Sequence, residues 1–174
     1  EKYLDGRDIC LASFIIDGIV FPICLLEEIN HELIDGKIIG KGMKTLPLNK
    51  NKSWYYQSLE ISQKLANIFE IERSPWNISF RSDSNNNLKL IEVHLDLGGD
   101  LLIEEVFPKA LPFNFLHLAI NLASGEKRYL KKFDIKPTAI LYEEGTNLVN
   151  EKDFNIFSEK TQKLLDQKIS DLRK

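Results

Sequence analysis

Cysteine is scarce in this chain: Cys10 and Cys24 are the only two in 174 residues. That is too few for the disulfide scaffold of a small secreted domain, and their spacing is not that of a zinc site. Basic charge is not in excess either. Lys and Arg number 23 against 26 Asp and Glu, a formal charge of −3, so no surplus exists to neutralise a phosphate backbone and nucleic acid is not an expected partner. Long apolar runs are missing. The longest stretch without a formal charge, Ala110 to Gly125, is interrupted by Pro112, Asn114, His117 and Asn121 and falls short of the roughly 20 apolar residues a membrane span needs. The opening Glu1-Lys2-Tyr3-Leu4-Asp5-Gly6 has neither an initiator Met nor the pattern of a signal peptide and reads as a fragment boundary, with a cytoplasmic protein expected. With only 9 Gly and 6 Pro and 43% hydrophobic residues, collagen-like and disordered classes are excluded and one ordinary core is expected.

Ile9 to Ile16 and Ile19 to Leu26 are apolar, β-branched runs separated by Asp17-Gly18, a dipeptide suited to a tight hairpin turn because both positions tolerate positive φ. If Ile16 faces Ile19, then Cys10 faces Leu25 and Cys24 faces Leu11, which puts the two sulfurs on opposite faces unless a bulge at Pro22 shifts the register. Residues 36–53 read as a strand followed by a loop. Leu59, Ile61, Leu65, Ile68 and Phe69 recur at helical spacing and predict an amphipathic helix from Gln57 to Ile71. Asn77 to Ser82 and Leu88 to His94 read as strands joined by the polar turn Asp83-Ser84-Asn85-Asn86-Asn87. Two helical stretches follow Gly98-Gly99, Leu101 to Ala110 and Phe113 to Ala123, the second closed by Gly125. Beyond it, Arg128 to Asp134 and Thr138 to Glu143 are candidate strands and Ser158 to Lys174 a candidate amphipathic helix. The basic cluster Lys127, Arg128, Lys131 and Lys132 reads as a solvated face.

Chemistry concentrates in Ile91-Glu92-Val93-His94-Leu95-Asp96-Leu97-Gly98-Gly99. Alternation along a strand sends Glu92, His94 and Asp96 to one side and Ile91, Val93 and Leu95 to the other. Carboxylate oxygens suit Mg²⁺, whereas an imidazole suits zinc, iron or manganese. The same spacing also describes a solvated polar strand face, and the pattern alone leaves both readings open. Arg81 shares a face with Ser79 and is a candidate contact to substrate or phosphate, or else the partner of a surface acid such as Asp83. His31, in a charged stretch, and His117, among apolar neighbours, are not assigned to a site. No Walker loop, Gly-x-Ser-x-Gly elbow or His-Glu-x-x-His helix is present.

Taken in order, the first hairpin, the amphipathic helix, the strand at Asn77, the polar turn and Leu90 to Gly99 resemble the C-terminal lobe of ATP-grasp proteins. The relatives are carboxylate–amine ligases, including carbamoyl-phosphate synthetase-like members. Glu1 to Asp8 is similar to the segment where that family's chain passes the adenine, and Pro112 to Glu126 to its helix ending in a Gly-Glu pair. The resemblance covers residues 1–126, with 127–174 as an extension packing on the same domain. It implies an α+β fold, an antiparallel β-sheet with helices packed on one face.

It further implies binding of ATP and Mg²⁺ in the intact protein. Glu92 would be a Mg²⁺ ligand bridging the phosphates, and His94 would replace the family's metal-binding Asn. Glu1, Lys2, Tyr3 and Leu4 would lie along the adenine hinge with Asp8 near the ribose. Asp96, Gly98 and Gly99 would contact a small-molecule substrate, and Arg81 would act at the reacting centre. The implied reaction activates a carboxylate as an acylphosphate for attack by an amine or similar nucleophile. Three departures stand out. Ser79 replaces a second metal carboxylate, Asp96 replaces an Arg that holds anions in many relatives, and the family's earlier half, with its nucleotide-binding lysines, is absent. One carboxylate and one imidazole should hold the metal less well, and Asp96 predicts a cationic acceptor. The alternative is a degenerate, non-catalytic binding or assembly module, and a further reading is a transition-metal site at Glu92, His94 and Asp96. A homodimer is left open.

Overall fold

The computed structural model describes residues 4–34, 37–46, 52–99, 101–126 and 133–141, with backbone alone at 30–34, 37–41 and 141. Glu1, Lys2 and Tyr3, the loop at 47–51, the basic cluster and the candidate helix Ser158 to Lys174 lie outside the described residues, as does the side chain of His31.

Apolar residues on both sides of the first hairpin organise the domain. Strands β1 (Asp8–Ile16) and β2 (Ile19–Ile34) pair antiparallel around Asp17 and Gly18, whose φ angles of 51° and 77° are those the turn requires. β3 (Lys37–Thr45), β4 (Arg73–Ser82), β5 (Leu88–His94) and β6 (Ala139–Leu141) complete a six-stranded sheet in the order β5-β4-β1-β2-β3-β6, every pairing antiparallel.

Ile9, Leu11 and Ile15 of β1 join Trp76, Ile78 and Phe80 of β4 beneath helix α1 (Lys52–Ile68). The other face of the same strands, with Ala12, Phe14 and Ile16, is covered by a π-helical turn (Leu102–Val106) running into α2 (Phe107–Ala110), and by α3 (Phe115–Ala123). The antiparallel α+β architecture is as expected. Its helices cover both faces, because a strand apolar on both sides must be buried on both.

Helix α1 packs Leu59, Ile61 and Leu65 half-buried against the sheet, as their spacing predicts, but its most deeply buried positions are others. Its buried stripe is Trp54, Ser58, Ser62 and Ala66 at i,i+4 spacing, while Ile68 and Phe69 are exposed. Small side chains let the helix approach the sheet closely, which periodicity of apolar residues does not register. His117 also faces outward from α3 and not into the core.

The hairpin register differs from the two-residue-turn expectation in one place. Ser13 pairs with Pro22 but Ala12 pairs with Cys24, so Ile23 is an extra residue, a bulge beside the proline. Cys10 then pairs with Leu26, and both cysteines belong to the π-helix and α3 side of the sheet, corrected from opposite faces. Neither cysteine is in a disulfide, and burial pushes Cys24 well above the ordinary thiol range, with Cys10 nearby adding to the rise.

Candidate functional site

The site is built on three adjacent cross-strand rows. Asp8 pairs with Arg81, Cys10 with Ser79, and Ala12 with Asn77; on the outer side Glu92 pairs with Ser79 and His94 with Asn77. Ile91 is the extra residue of a second bulge and is exposed, so strict alternation begins only at Glu92. From there the predicted grouping holds. His94 Nε2 lies 3.1 Å from Glu92 Oε1, and His94 Nδ1 lies 3.9 Å from Asp96 Oδ2.

These side chains border a cavity of about 460 Å³ whose wall includes Asp8, Cys10, Glu28, Asn77, Ser79, Glu92, His94, Asp96, Gly98 and Gly99, with Leu102 of the π-helical turn. Its size is that of an ordinary small-ligand site. The structure therefore brings Asp8, Glu92, His94, Asp96 and both glycines to one concavity. Arg81 is not on its wall; it lies 3.6 Å from Asp8 Oδ2 and forms an ion pair there, with Asp83 paired instead to Lys89 at 3.5 Å. Leu4 is not a wall residue either, and Glu1, Lys2 and Tyr3 fall outside the described residues.

The loop after β5 is held by Asp96. Its Oδ1 accepts from the Gly98 N–H at 2.9 Å and from Asn77 Nδ2 at 3.2 Å, while its carbonyl oxygen accepts from Asn77 Nδ2 at 2.6 Å. Gly98 has a φ of 90°, and a Cβ there would meet Leu102 Cδ1 at 2.9 Å, so the turn needs glycine on both conformational and steric grounds. Leu101 follows at φ 60°, a left-handed conformation costly for a side chain of its kind, and opens the π-helical turn. Asn77 was missed by sequence reasoning. Its signal was its place two residues before Ser79 on the same face, where it stood as an ordinary strand polar residue.

The donor set fits one kind of metal and not another. Mg²⁺ carried by nucleotide phosphates needs one or two protein carboxylates, and Glu92 offers one with the His94 ring beside it. Among the described residues no three His, Cys, Asp or Glu side chains gather closely enough to hold an ion by themselves, so a transition-metal centre at Glu92, His94 and Asp96 is not supported. No described helix is long and apolar enough to cross a membrane.

No protein-family model matches the chain, and no curated protein matches it in sequence. Solved structures do match in fold. The N5-carboxyaminoimidazole synthetase from Staphylococcus aureus complexed with ADP aligns with a TM-score of 0.60 at 17% identity over 94% of this chain and 40% of its own. The L-amino acid ligase from Bacillus licheniformis aligns with a TM-score of 0.54 at 18% identity over 72% of this chain and 32% of its own. The biotin carboxylase domain of the Hydrogenobacter thermophilus 2-oxoglutarate carboxylase, in complex with MgADP, ADP and bicarbonate, gives 0.55 at 19% identity over 78% of this chain and 29% of its own. The chain thus spans about a third of the length of these neighbours. Together the antiparallel sheet, its helices and these neighbours show that the chain has the fold of an ATP-grasp lobe.

Proposed function

We propose that this chain is the C-terminal lobe of an ATP-grasp ligase which, in the intact protein, binds ATP and Mg²⁺ and activates a carboxylate as an acylphosphate for attack by an amine or similar nucleophile. The observation that carries the reading is Glu92 beside His94 on the wall of a ligand-sized cavity, in a fold shared with ADP- and MgADP-bound synthetase and carboxylase structures. Glu92, with His94 next to it, would hold the phosphate-borne Mg²⁺, and that ion would offset charge on the phosphoryl group being transferred. Asp8 would stand toward the ribose, and Gly98 and Gly99 let a substrate approach the backbone. The same reading includes an adenine hinge at Glu1, Lys2, Tyr3 and Leu4, a homodimer and a cytoplasmic location. Arg81, off the cavity wall and paired with Asp8, is better placed to steady that carboxylate than to touch a reacting atom.

A second reading is a lobe that keeps the fold and has lost the chemistry. Ser79 opposite Glu92, and a cavity wall whose described residues include no Lys or Arg, favour it. Calorimetry of Mg–ATP binding to the full-length gene product decides between them. Micromolar binding that Glu92→Ala abolishes supports the ligase. No binding by the unmodified protein assigns it to the non-catalytic class.

A further inference from the structure

Asn77 belongs to β4 and pairs with His94 of β5, yet its side chain reaches past that strand to the loop that follows it. Its amide nitrogen donates to the Asp96 carbonyl oxygen at 2.6 Å and to Asp96 Oδ1 at 3.2 Å, and the same Oδ1 accepts from the Gly98 N–H at 2.9 Å. Turning the amide over would set oxygen against oxygen, so these acceptors fix its orientation. That orientation leaves Asn77 Oδ1 buried without a hydrogen-bond donor in the protein, which destabilises a fold. The side chain is thus held toward Asp96 against a local cost, and such a group calls for an explanation.

What the two residues hold is a stretch of cavity wall that lies beyond the end of β5. Gly98 and Gly99 are wall residues, and Leu102 behind them belongs to both wall and core. Gly98 is wedged: a Cβ there would lie 3.5 Å from Asn77 Nδ2 and 2.9 Å from Leu102 Cδ1. Gly99 is different. Its φ lies outside the left-handed region, and a Cβ there would meet no described atom within 4 Å, so neither conformation nor packing requires a glycine. Its bareness leaves room on the wall for a ligand to come against the backbone. Asp96 holds both donors with one carboxylate oxygen, and both donors are neutral amides, so the bonds need an acceptor at that place and not a charge.

We infer that Asn77 and Asp96 are positioning residues: they tie the Gly98–Gly99 turn and the end of β5 at His94 to strand β4, and so set the backbone of the turn against the cavity beside Glu92 and His94. The role is exerted through the turn and not by touching substrate. It differs from the one implied for Asp96 by its replacing an Arg, because a turn held by an acceptor oxygen carries no preference for a cationic acceptor. The inference rests on the ligase reading only for what the turn serves, since the tie itself is made within the protein.

The test uses the full-length gene product and reads two quantities, amide hydrogen exchange at Gly98 without ligand and Mg–ATP affinity by calorimetry. In the unmodified protein the Gly98 amide should exchange at least tenfold more slowly than a free amide in an exposed turn. Asp96→Ala should remove that protection and weaken Mg–ATP at least tenfold. Asp96→Asn, which keeps an oxygen for both donors, should retain the protection and an affinity within threefold of the unmodified protein. Asn77→Ala should also weaken Mg–ATP, and the double variant should lose no more than the worse single one, because both act through one tie. Asp96 is exposed, so its two variants carry the test even where Asn77→Ala impairs folding. An unprotected Gly98 amide, protection or affinity untouched by Asp96→Ala, additive losses in the double variant, or an Asp96→Asn protein as impaired as Asp96→Ala would each overturn the inference, the last by showing that the charge of Asp96 is what matters. Failure of the unmodified protein to bind Mg–ATP removes the ligase reading alone, and the exchange measurement, with its rescue by Asp96→Asn, then decides the tie.

Discussion

Ser79 stands directly opposite Glu92 across the β4–β5 ladder, with both side chains on the cavity wall. A hydroxyl in that place gives a divalent ion no charge. Ser79→Asp should therefore tighten Mg²⁺ in the nucleotide complex, by roughly tenfold on the Coulombic scale of one added nearby carboxylate. Titration of Mg²⁺ at saturating ATP in the full-length protein measures it; unchanged or weaker affinity would place the metal away from this pair.

Gly6 is pressed against the end of β4. A Cβ there would lie 1.8 Å from the Ser82 carbonyl oxygen, and the adjoining Arg7 exchanges hydrogen bonds with Ser82 at 2.8 and 2.9 Å. Gly6→Ala should break this docking at a cost of about 2–4 kcal/mol, from lost hydrogen bonds and forced movement. Urea unfolding reads the stability. Under the proposed function, ATP affinity should fall as well, since the segment enters the cavity wall at Asp8.

Two residues past the end of helix α1, Glu70 stands at φ 52°, where the Ile71 N–H bonds to the Ala66 carbonyl at 3.0 Å and the Glu70 N–H to that of Asn67 at 3.3 Å. This is the C-terminal geometry that favours glycine. Glu70→Gly should stabilise the domain by about 0.5–1 kcal/mol, visible as a higher urea midpoint with an unchanged slope.

At the other kind of helix end, Asn114 Oδ1 accepts from the His117 N–H at 2.8 Å and caps α3. Asn114→Ala should cost about 1 kcal/mol, and Asn114→Asp should recover most of it. Equal stability of all three proteins would mean that the cap is replaced by water.

Cys24 has its folded pKa raised, chiefly by burial and secondarily by Cys10. The unfolded chain loses this proton near pH 8.5 while the folded one retains it. Its contribution is thus fully present below that pH and declines as pH rises above it. Stability should fall on the alkaline side of about pH 8.5, and Cys24→Ala should flatten that slope while lowering the plateau. Native alkylation should modify the partly exposed Cys10 and spare Cys24.

Turn chemistry and helix punctuation were legible along the chain. Asp17-Gly18, the polar run from Asp83 to Asn87 and the Gly125 stop are decided by a few neighbouring residues, and each lies where local preference places it. The row of Glu92 and His94 was legible for the same reason, through period-two alternation within one strand. The buried stripe of α1 was not, because Ser58 and Ser62 are chosen by the distance to a sheet elsewhere in the sequence. Asn77 was equally hidden: its significance comes from Asp96, nineteen positions away, and no local pattern marks a polar strand residue whose oxygen lacks a donor.

The extra residue at Ile23 sorts two neighbouring acids into different fates. As the strands lie, Ile9 pairs with Glu27, which turns Glu27 under Arg7 and Lys44, the latter at 3.0 Å, where it is 6% exposed, while Glu28 lines the cavity. Continued without the bulge, the turn's own register would exchange them: Glu27 would stand opposite Asp8 on the cavity side and Glu28 would be left to the basic pair. A single inserted residue, five positions before Glu28, thus acts as a selector for which glutamate is held in the core by Arg7 and Lys44 and which stands on the cavity wall.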